Sequence, residues 1–327
     1  MRVSTSQIYD TGTLGIQRNQ TNMLSSYNQI SSGKRVVTPE DDPVSASQAL
    51  VVIQSQAVNT RFIENQGKAQ DQLSLVDTRL ADATSILQSV ISSTVQAGNP
   101  SLNDANRQAL AKQLQVDLQD LLGIANTQDG TGQYMFAGYQ TNQRPFATGT
   151  TPPTNPAGSA YGSVPPAVSY ITYQGDQGAR TLQVDASRIM TTNASGSDIF
   201  MNVRDRNGNP TGRSVFDSIQ NVIDMLQTPV ASNPNFQADY QRSLNEVNSS
   251  LDNVLRGRST VGAQLNELTS LGTASSSVDQ QYQTTLSNMQ DLDYASALTN
   301  YTKQQTALQA SQLSFMKITS LNLFNNL

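Results

Sequence analysis

The chain has 327 residues, a formal net charge of −5 and no cysteine, histidine or tryptophan. The lack of cysteine excludes disulfides and thiolate nucleophiles, and the lack of histidine removes the commonest general base and metal ligand. The acidic balance, with no basic cluster larger than Lys34-Arg35, argues against nucleic-acid binding. The hydrophobic fraction of 36% is low for a globular protein and favours thin packing of long helices over a large central core.

The sequence predicts neither a membrane span nor a cleaved secretory signal. Its longest strongly apolar run is Leu50-Val51-Val52-Ile53, far below the roughly 18 residues that a span requires. Residues 1–30 lack the apolar core of a signal peptide. If the protein leaves the cell, we therefore expect a route that cleaves no signal peptide.

The first predicted element is a terminal helix over 4–32. Between Val3 and Gly33 the only charges are Asp10 and Arg18, yet apolar residues recur every seven positions, which places them on one seam of a helix. Many serine, threonine and asparagine residues give the segment poor helix propensity, so it is marginal in water alone. The seam consists of Tyr9, Ile16, Met23 and Ile30.

Asp42 and Pro43 predict the start of a long helix, because aspartate is a strong N-cap and proline is favoured at the first helical position. This helix is predicted to run unbroken to Ala97, over about 80 Å. A metal pair at Asp41 and Asp42 is the disfavoured alternative, since proline follows directly. A second helix over 104–126 is predicted to fold back on the first.

The stretch 131–213 differs in kind, because glycine and proline separate short β-prone runs. We predict strands at 133–136, 170–173 and 181–184, within a small separate β-rich domain. Four aspartates here formally allow a carboxylate-pair hydrolase, but no motif supports one. Residues 149–167 carry no recognisable motif.

Helical periodicity returns over 215–226 and, beyond Pro229 and Pro234, over a second long segment at 236–289. Its apolar stripe and the stripe over 69–97 are predicted to be the core of one subunit. Two long helices that flank one insertion favour an antiparallel pair. The predicted fold is therefore mainly α with an inserted β-rich domain, as an elongated spoke of long coiled-coil helices.

The C-terminal segment from Tyr294 resembles the N-terminal one in composition, with Lys303 and Lys317 as its only charges. We expect both terminal helices to pair in assembly and to fold when neighbouring copies bury their seams. An intramolecular core is the disfavoured alternative. The C-terminal seam consists of Tyr294, Leu298, Tyr301, Leu308 and Phe315.

The pattern divides the chain into three predicted domains. The two ends form a terminal assembly domain, the long helices form a rod, and the insertion forms an outer β-rich domain. The respective residues are 1–42 with 290–327, 43–130 with 214–289, and 131–213.

Several motifs resemble bacterial flagellins and their relatives, the hook-associated proteins. The residues ISSGKR at 30–35 and EDDP at 40–43 are similar to the flagellin junction between terminal and long helix, and DLDYA at 291–295 is similar to the start of its C-terminal helix. Flagellins usually have alanine where Pro43 stands, which favours a relative. The middle motifs, GQYMFAG at 132–138 and YQGD at 173–176, resemble the hook-associated proteins between hook and filament.

The resemblance implies an extracellular structural adaptor of the flagellum, without enzymatic activity, cofactor or metal. It implies export in an unfolded state through the flagellar type III channel, with an export chaperone on the C-terminal helix. It further implies a ring of copies between the first hook-associated protein and flagellin.

Two alternatives stay open from the sequence. The nearest is flagellin itself, which polymerises without limit. The other, from a different class, is a secreted adhesin or enzyme that carries 131–213 as its head on a helical stalk.

Overall fold

A computed structural model describes residues 5–149, 170–205 and 207–320. The prediction of a mainly helical chain with small β elements is confirmed. The helices are α1 Thr5–Ser32, α2 Pro43–Ala97, α3 Asp104–Ala125, α4 Val215–Gln227, α5 Phe236–Gln290 and α6 Tyr294–Ser320. The strands are β1 Phe146–Gly149, β2 Tyr170–Tyr173, β3 Thr181–Asp185 and β4 Arg188–Thr191. A π-helical turn at Ser197–Met201 and a 3-10 turn at Val230–Ser232 complete the elements.

Short polar side chains fix where the helices begin. Asp42 Oδ1 accepts a hydrogen bond from the Ser45 N–H (3.1 Å), directly before Pro43 opens α2. Asn103 and Ser214 accept in the same way at the starts of α3 and α4. Each of these bonds satisfies one of the N–H groups that a helix leaves without a partner in its first turn.

The chain forms two compact units. Unit 1 comprises Met1–Thr60 and Ser276–Leu327, and unit 2 comprises Arg61–Ser275. Both long helices, α2 and α5, contribute one end to unit 1 and the remainder to unit 2. The division into three domains, with boundaries near 43, 131, 214 and 290, stays a prediction.

Unit 2 contains a continuous hydrophobic core. The α2 stripe predicted over 69–97 is buried along its length, with Leu73, Leu80 and Leu87 inaccessible to solvent. Val254 of α5 lies in the same cluster, as do α3 and α4 side chains. The prediction that this stripe is the core of one subunit is confirmed, because the 4-3 spacing keeps it on one side of the helix.

The β elements are two antiparallel pairs, β1 with β2 and β3 with β4. The predicted strands at 170–173 and 181–184 are confirmed as β2 and β3. Their partners β1 and β4 were not predicted from the sequence. Residues 150–169, which include most of the motif-free stretch 149–167, lie outside the described residues.

The predicted strand at 133–136 is wrong. The Tyr134 N–H donates to the Thr141 carbonyl (2.9 Å) and the Met135 N–H donates to the Thr127 carbonyl (3.1 Å). Successive donors thus reach loop carbonyls on opposite sides, and apart from an isolated bridge at Tyr134 no ladder forms. The apolar residues of this run are buried in a turn-rich segment.

Four phenylalanines join this region to the helices of unit 2. Phe136, Phe146 and Phe200 are fully buried, and Phe146 and Phe200 pack against Phe216 of α4 with ring centroids 5.4 and 5.8 Å apart. Phe136 meets Phe200 edge-on at 5.4 Å. Residues of 131–213 therefore share their core with α4.

Candidate assembly surface

Helices α1 and α6 pack along each other within unit 1. Ile16, Met23 and Ile30 are half-buried on α1, as are Tyr301 and Phe315 on α6, and Leu308 is buried. The Tyr9 ring is exposed but meets the Phe315 ring edge-on at 5.8 Å. Most predicted seam residues therefore lie in a contact between the two ends of one chain. Their role between copies stays a prediction.

The other two predicted seam residues lie mainly outside this contact. Leu298 is 60% exposed on α6. Tyr294 is 57% exposed, and only its hydroxyl lies close to Gly33. The apolar surface of these two side chains is therefore largely exposed.

Gly12 lets the two helices approach closely. A Cβ at this position would lie 2.6 Å from Cδ2 of the Phe315 ring, closer than real Cβ contacts. A Cβ at Gly15, one turn further, would meet nothing within 4 Å. Glycine is therefore required at one position and not at the other, although both lower the helix propensity of α1.

This difference gives a matched pair of variants. We expect Gly12→Ala to push α6 away from α1 and to lower the melting temperature of unit 1, because Phe315 must leave its place. We expect Gly15→Ala to stabilise α1 by about 0.5–1 kcal/mol. Thermal melting monitored by circular dichroism measures both effects. Equal behaviour of the two variants would contradict the close contact.

A backbone joint connects the end of α1, the end of α5 and the start of α6. The Arg35 N–H donates to the Gln290 carbonyl (2.6 Å), and the Leu292 N–H donates to the Gly33 carbonyl (3.0 Å). Gly33 has φ +71°, a conformation that favours glycine. The Arg35 guanidinium donates to the Met289 carbonyl (2.8 Å). These hydrogen bonds between 33–35 and 289–292 were not predicted from the sequence, where Gly33 followed by two basic residues was the available signal.

Asp42 holds the N-terminal side of the joint. Its carboxylate accepts hydrogen bonds from the Ser45 hydroxyl (2.6 Å) and N–H (3.1 Å), and from the Arg35 guanidinium (3.1 Å). These bonds, those from Ser45 first, lower the pKa of Asp42 to about 2 from an ordinary 3.8. Asp293 plays the same part at the start of α6, where hydrogen bonds from Ser296 lower its pKa.

The lowered pKa of Asp42 predicts an acid-sensitive joint. Because the folded pKa lies below the unfolded value, the stabilisation is complete above about pH 3.8 and is lost as the pH falls towards 2. Asp42→Asn should keep a capping side chain without titrating. We expect the melting temperature of the wild type to fall more steeply than that of the variant in this window. Parallel pH curves would refute the assignment.

Three of the four aspartates that allowed a hydrolase accept hydrogen bonds from backbone N–H groups. Asp176 Oδ1 accepts from the N–H groups of Tyr139 (2.7 Å) and Gly178 (2.8 Å). Asp185 and Asp205 likewise accept backbone hydrogen bonds inside their own turns. Such bonds are the usual role of aspartate in turns. Among residues 5–149, 170–205 and 207–320, no group of acidic side chains has the arrangement of a metal site.

Unit 1 exposes most of the large apolar side chains that lie on the surface of the described part of the chain, although it is the smaller unit. A concentration of exposed large apolar side chains in one part of a protein favours an interaction site there. No described helix has the length and hydropathy of a membrane span. We name these side chains the unit 1 apolar surface; on the helices they are Tyr9, Leu14, Leu24, Tyr27, Val44, Leu50, Val51, Ile53, Val278, Tyr294, Leu298, Leu313, Met316 and Ile318.

The chain is similar to known proteins along almost its whole length. Residues 3–141 match the family described as the bacterial flagellin N-terminal helical region. The chain is 33% identical to flagellar hook-associated protein 3 of Salmonella typhimurium and 34% identical to that of Escherichia coli, over 99% of each chain in both cases. The solved flagellar junction protein FlgL of Legionella pneumophila superposes with a TM-score of 0.60 at 19% identity, over 75% of this chain and all of that one. The last likeness concerns the fold alone.

Proposed function

Since this chain belongs to the flagellar hook-associated protein 3 family, we propose that it is a structural adaptor that joins the flagellar hook to the filament. The family membership confirms the resemblance found in the sequence. The observation that carries the proposal is the unit 1 apolar surface, because the smaller unit holds most of the exposed large apolar side chains of the described residues. A subunit enclosed by neighbours has that surface buried.

We further propose the neighbours. Copies of the chain form a ring, with the first hook-associated protein on one side and flagellin on the other. The chain is exported in an unfolded state without a cleaved signal, and an export chaperone covers α6 before export. The absence of cysteine supports this route, because no disulfide has to form after passage.

A non-enzymatic role agrees with Asp176, Asp185 and Asp205, whose carboxylates accept hydrogen bonds from backbone N–H groups. The alternative function is that of a flagellin filament subunit. It predicts that the purified chain alone grows into long filaments. A junction protein stops after a limited assembly, so negative-stain microscopy of the purified chain at high concentration separates the two.

The decisive experiment is deletion of the gene in the bacterium that makes this chain. We expect hooks without filaments, flagellin in the culture medium and loss of swimming, all restored when the chain is supplied again. Electron microscopy of purified hook–basal bodies and immunoblots of the medium provide the readouts. Filaments that stay attached in the deletion strain would overturn the proposal.

A further inference from the structure

A cleft in unit 2 lies between the loops that flank β3 and β4, the π-helical turn and α5. Its volume is about 360 Å³, and sites for small molecules usually have about 300–1,000 Å³. The lining residues come from four separate segments, 177–179, 191–195, 198–199 and 257–264. The cleft is therefore a product of the tertiary fold of unit 2 and not of a single loop.

Two buried asparagines fix the walls of this cleft. Asn193 is 7% exposed, and its side chain donates to the Gly178 carbonyl (2.9 Å). Asn253 of α5 is 6% exposed, and it donates to the carbonyls of Asp198 (2.9 Å) and Ile199 (2.8 Å). These bonds hold the π-helical turn against α5. Single π-helical turns are rare and occur frequently at functional sites.

Three polar side chains that line the cleft lack a partner inside the chain. Among the residues that the structure describes, the Asp198 carboxylate and the amides of Gln177 and Gln264 form no hydrogen bond or ion pair. The carboxylates of Asp176 and Asp185, by contrast, accept hydrogen bonds from backbone N–H groups. The Asp198 carboxylate is therefore available to a ligand in the cleft.

The lining of the cleft favours a neutral, hydroxylated ligand. The Asp198 carboxylate only accepts hydrogen bonds, whereas the amides of Gln177 and Gln264 both donate and accept them. A hydroxyl group also does both, while an alkylammonium group only donates and a phosphate only accepts. No cationic side chain is among the described residues of the lining, which disfavours an anion. Ile199 and Val261 add apolar surface for the C–H groups of a ring.

We propose that this cleft binds a sugar, as one hydroxylated ring of monosaccharide size. The Asp198 carboxylate accepts hydrogen bonds from hydroxyl groups of the ring, and the two glutamine amides bind its other hydroxyl groups. Binding thereby gives all three side chains the partners that they lack in the chain. The site belongs to unit 2, and the inference goes beyond the proposed function, which the unit 1 apolar surface carries.

Tyr139 provides a rigid aromatic ring at the edge of the cleft. Its ring packs against Gly178, where a Cβ would overlap the ring, and its hydroxyl donates to the Ala179 carbonyl (2.8 Å). Both glycine and alanine belong to the lining of the cleft. The ring is nevertheless 65% exposed, so it offers an apolar face to the C–H groups of a sugar beside the cleft.

Saturation-transfer difference NMR on the purified full chain tests the site. The probes are glucose, galactose, N-acetylglucosamine and the methyl glycoside of each, and cadaverine serves as a comparison ligand with two amines and no hydroxyl group. We expect signals from at least one sugar and none from cadaverine. A free sugar that binds better than its methyl glycoside indicates a soluble sugar as the ligand. Equal binding of the two indicates a sugar that is attached to another molecule.

Asp198→Ala and Gln264→Ala are the test variants. Both should keep the melting temperature of the wild type, since neither side chain forms a hydrogen bond with another described residue. The dissociation constant of the sugar should rise about tenfold or more for Asp198→Ala, because a hydrogen bond to a charged group is lost. The matched control is Asn266→Ala, an exposed position on α5 two residues beyond Gln264 and on another side of the helix. It should bind the sugar as the wild type does.

Three results would overturn the inference: no signal from any of the sugars at tens of millimolar, binding of cadaverine alone, or wild-type affinity in both test variants. If one test variant fails to fold, the other decides. None of these results bears on the junction function, because that function is tested by the deletion strain. Attached filaments in the deletion strain would leave the sugar site standing in the same way.

Discussion

Phe146→Ala is expected to destabilise unit 2 by about 3–5 kcal/mol, the largest loss of folding stability for a single substitution that we predict. Phe146 is fully buried, and its ring lies 5.1 Å from Tyr173, 5.5 Å from Phe200 and 5.4 Å from Phe216 between centroids. Alanine leaves a cavity that these rings cannot fill without leaving their own positions. The aromatic contacts at edge-on and tilted geometry are lost as well.

Urea denaturation of the full chain, monitored by circular dichroism, measures this loss. Phe146→Leu keeps most of the buried volume and should cost far less. Val116→Ala, at an exposed valine on α3, should lie within about 0.5 kcal/mol of the wild type. A loss below about 1 kcal/mol for Phe146→Ala would show that the aromatic cluster is not a cooperative part of unit 2.

Phe315→Asp is expected to abolish swimming while leaving the unfolding of unit 2 unchanged. Phe315 lies between α1 and α6, against the Tyr9 ring and Gly12. A carboxylate there would have to lose water without gaining a partner, so the helices would separate instead. Met23→Asp on the facing helix should have the same effect.

Flagellin in the medium and swim-plate diameter measure the loss, and urea denaturation of the purified chain provides the comparison. Ser314→Asp, an exposed position one residue away, adds the same charge outside the contact and should preserve swimming. A large fall in the stability of unit 2 would show that the terminal helices are ordinary core. Normal swimming of Phe315→Asp would show that assembly does not need their contact.

Local signals in the sequence were enough to predict the helices. The starts of α2 and α6 are marked by Asp42 with Pro43 and by Asp293, whose side chains act within a few residues of their own position. Heptad spacing likewise reveals the α2 core stripe without knowledge of its partner. Such features depend on residues that are close in the chain, so they can be predicted without knowledge of the tertiary structure.

Contacts between residues that are far apart in the chain could not be predicted from such local signals. The run at 133–136 has β-prone residues, but its N–H groups find loop carbonyls, and the strands β1 and β4 exist only because partners lie beside them. The joint between Arg35 and Gln290 connects residues far apart in the chain. Neither kind of contact leaves a periodic pattern.

The candidate surface was only partly anticipated. A heptad search selects the most regular stripe, and on α1 and α6 that stripe includes the residues that face each other within one chain, such as Leu308. Exposed residues such as Leu24 and Leu50 follow no seven-residue period and were missed. The exposed apolar side chains of α1 and α6 are those that the intramolecular pairing does not use.

The joint fixes how α1 and α6 are aligned along each other. Helices with a seven-residue repeat and almost no charges fit nearly as well after sliding by one repeat, a shift of roughly 10 Å. Within α1 and α6, the close approach of Phe315 to Gly12 also favours the observed alignment. The hydrogen bonds of Gly33 and Arg35 to residues 289–292 exist in one alignment alone. The joint therefore gives the paired terminal helices the same alignment in every folded copy.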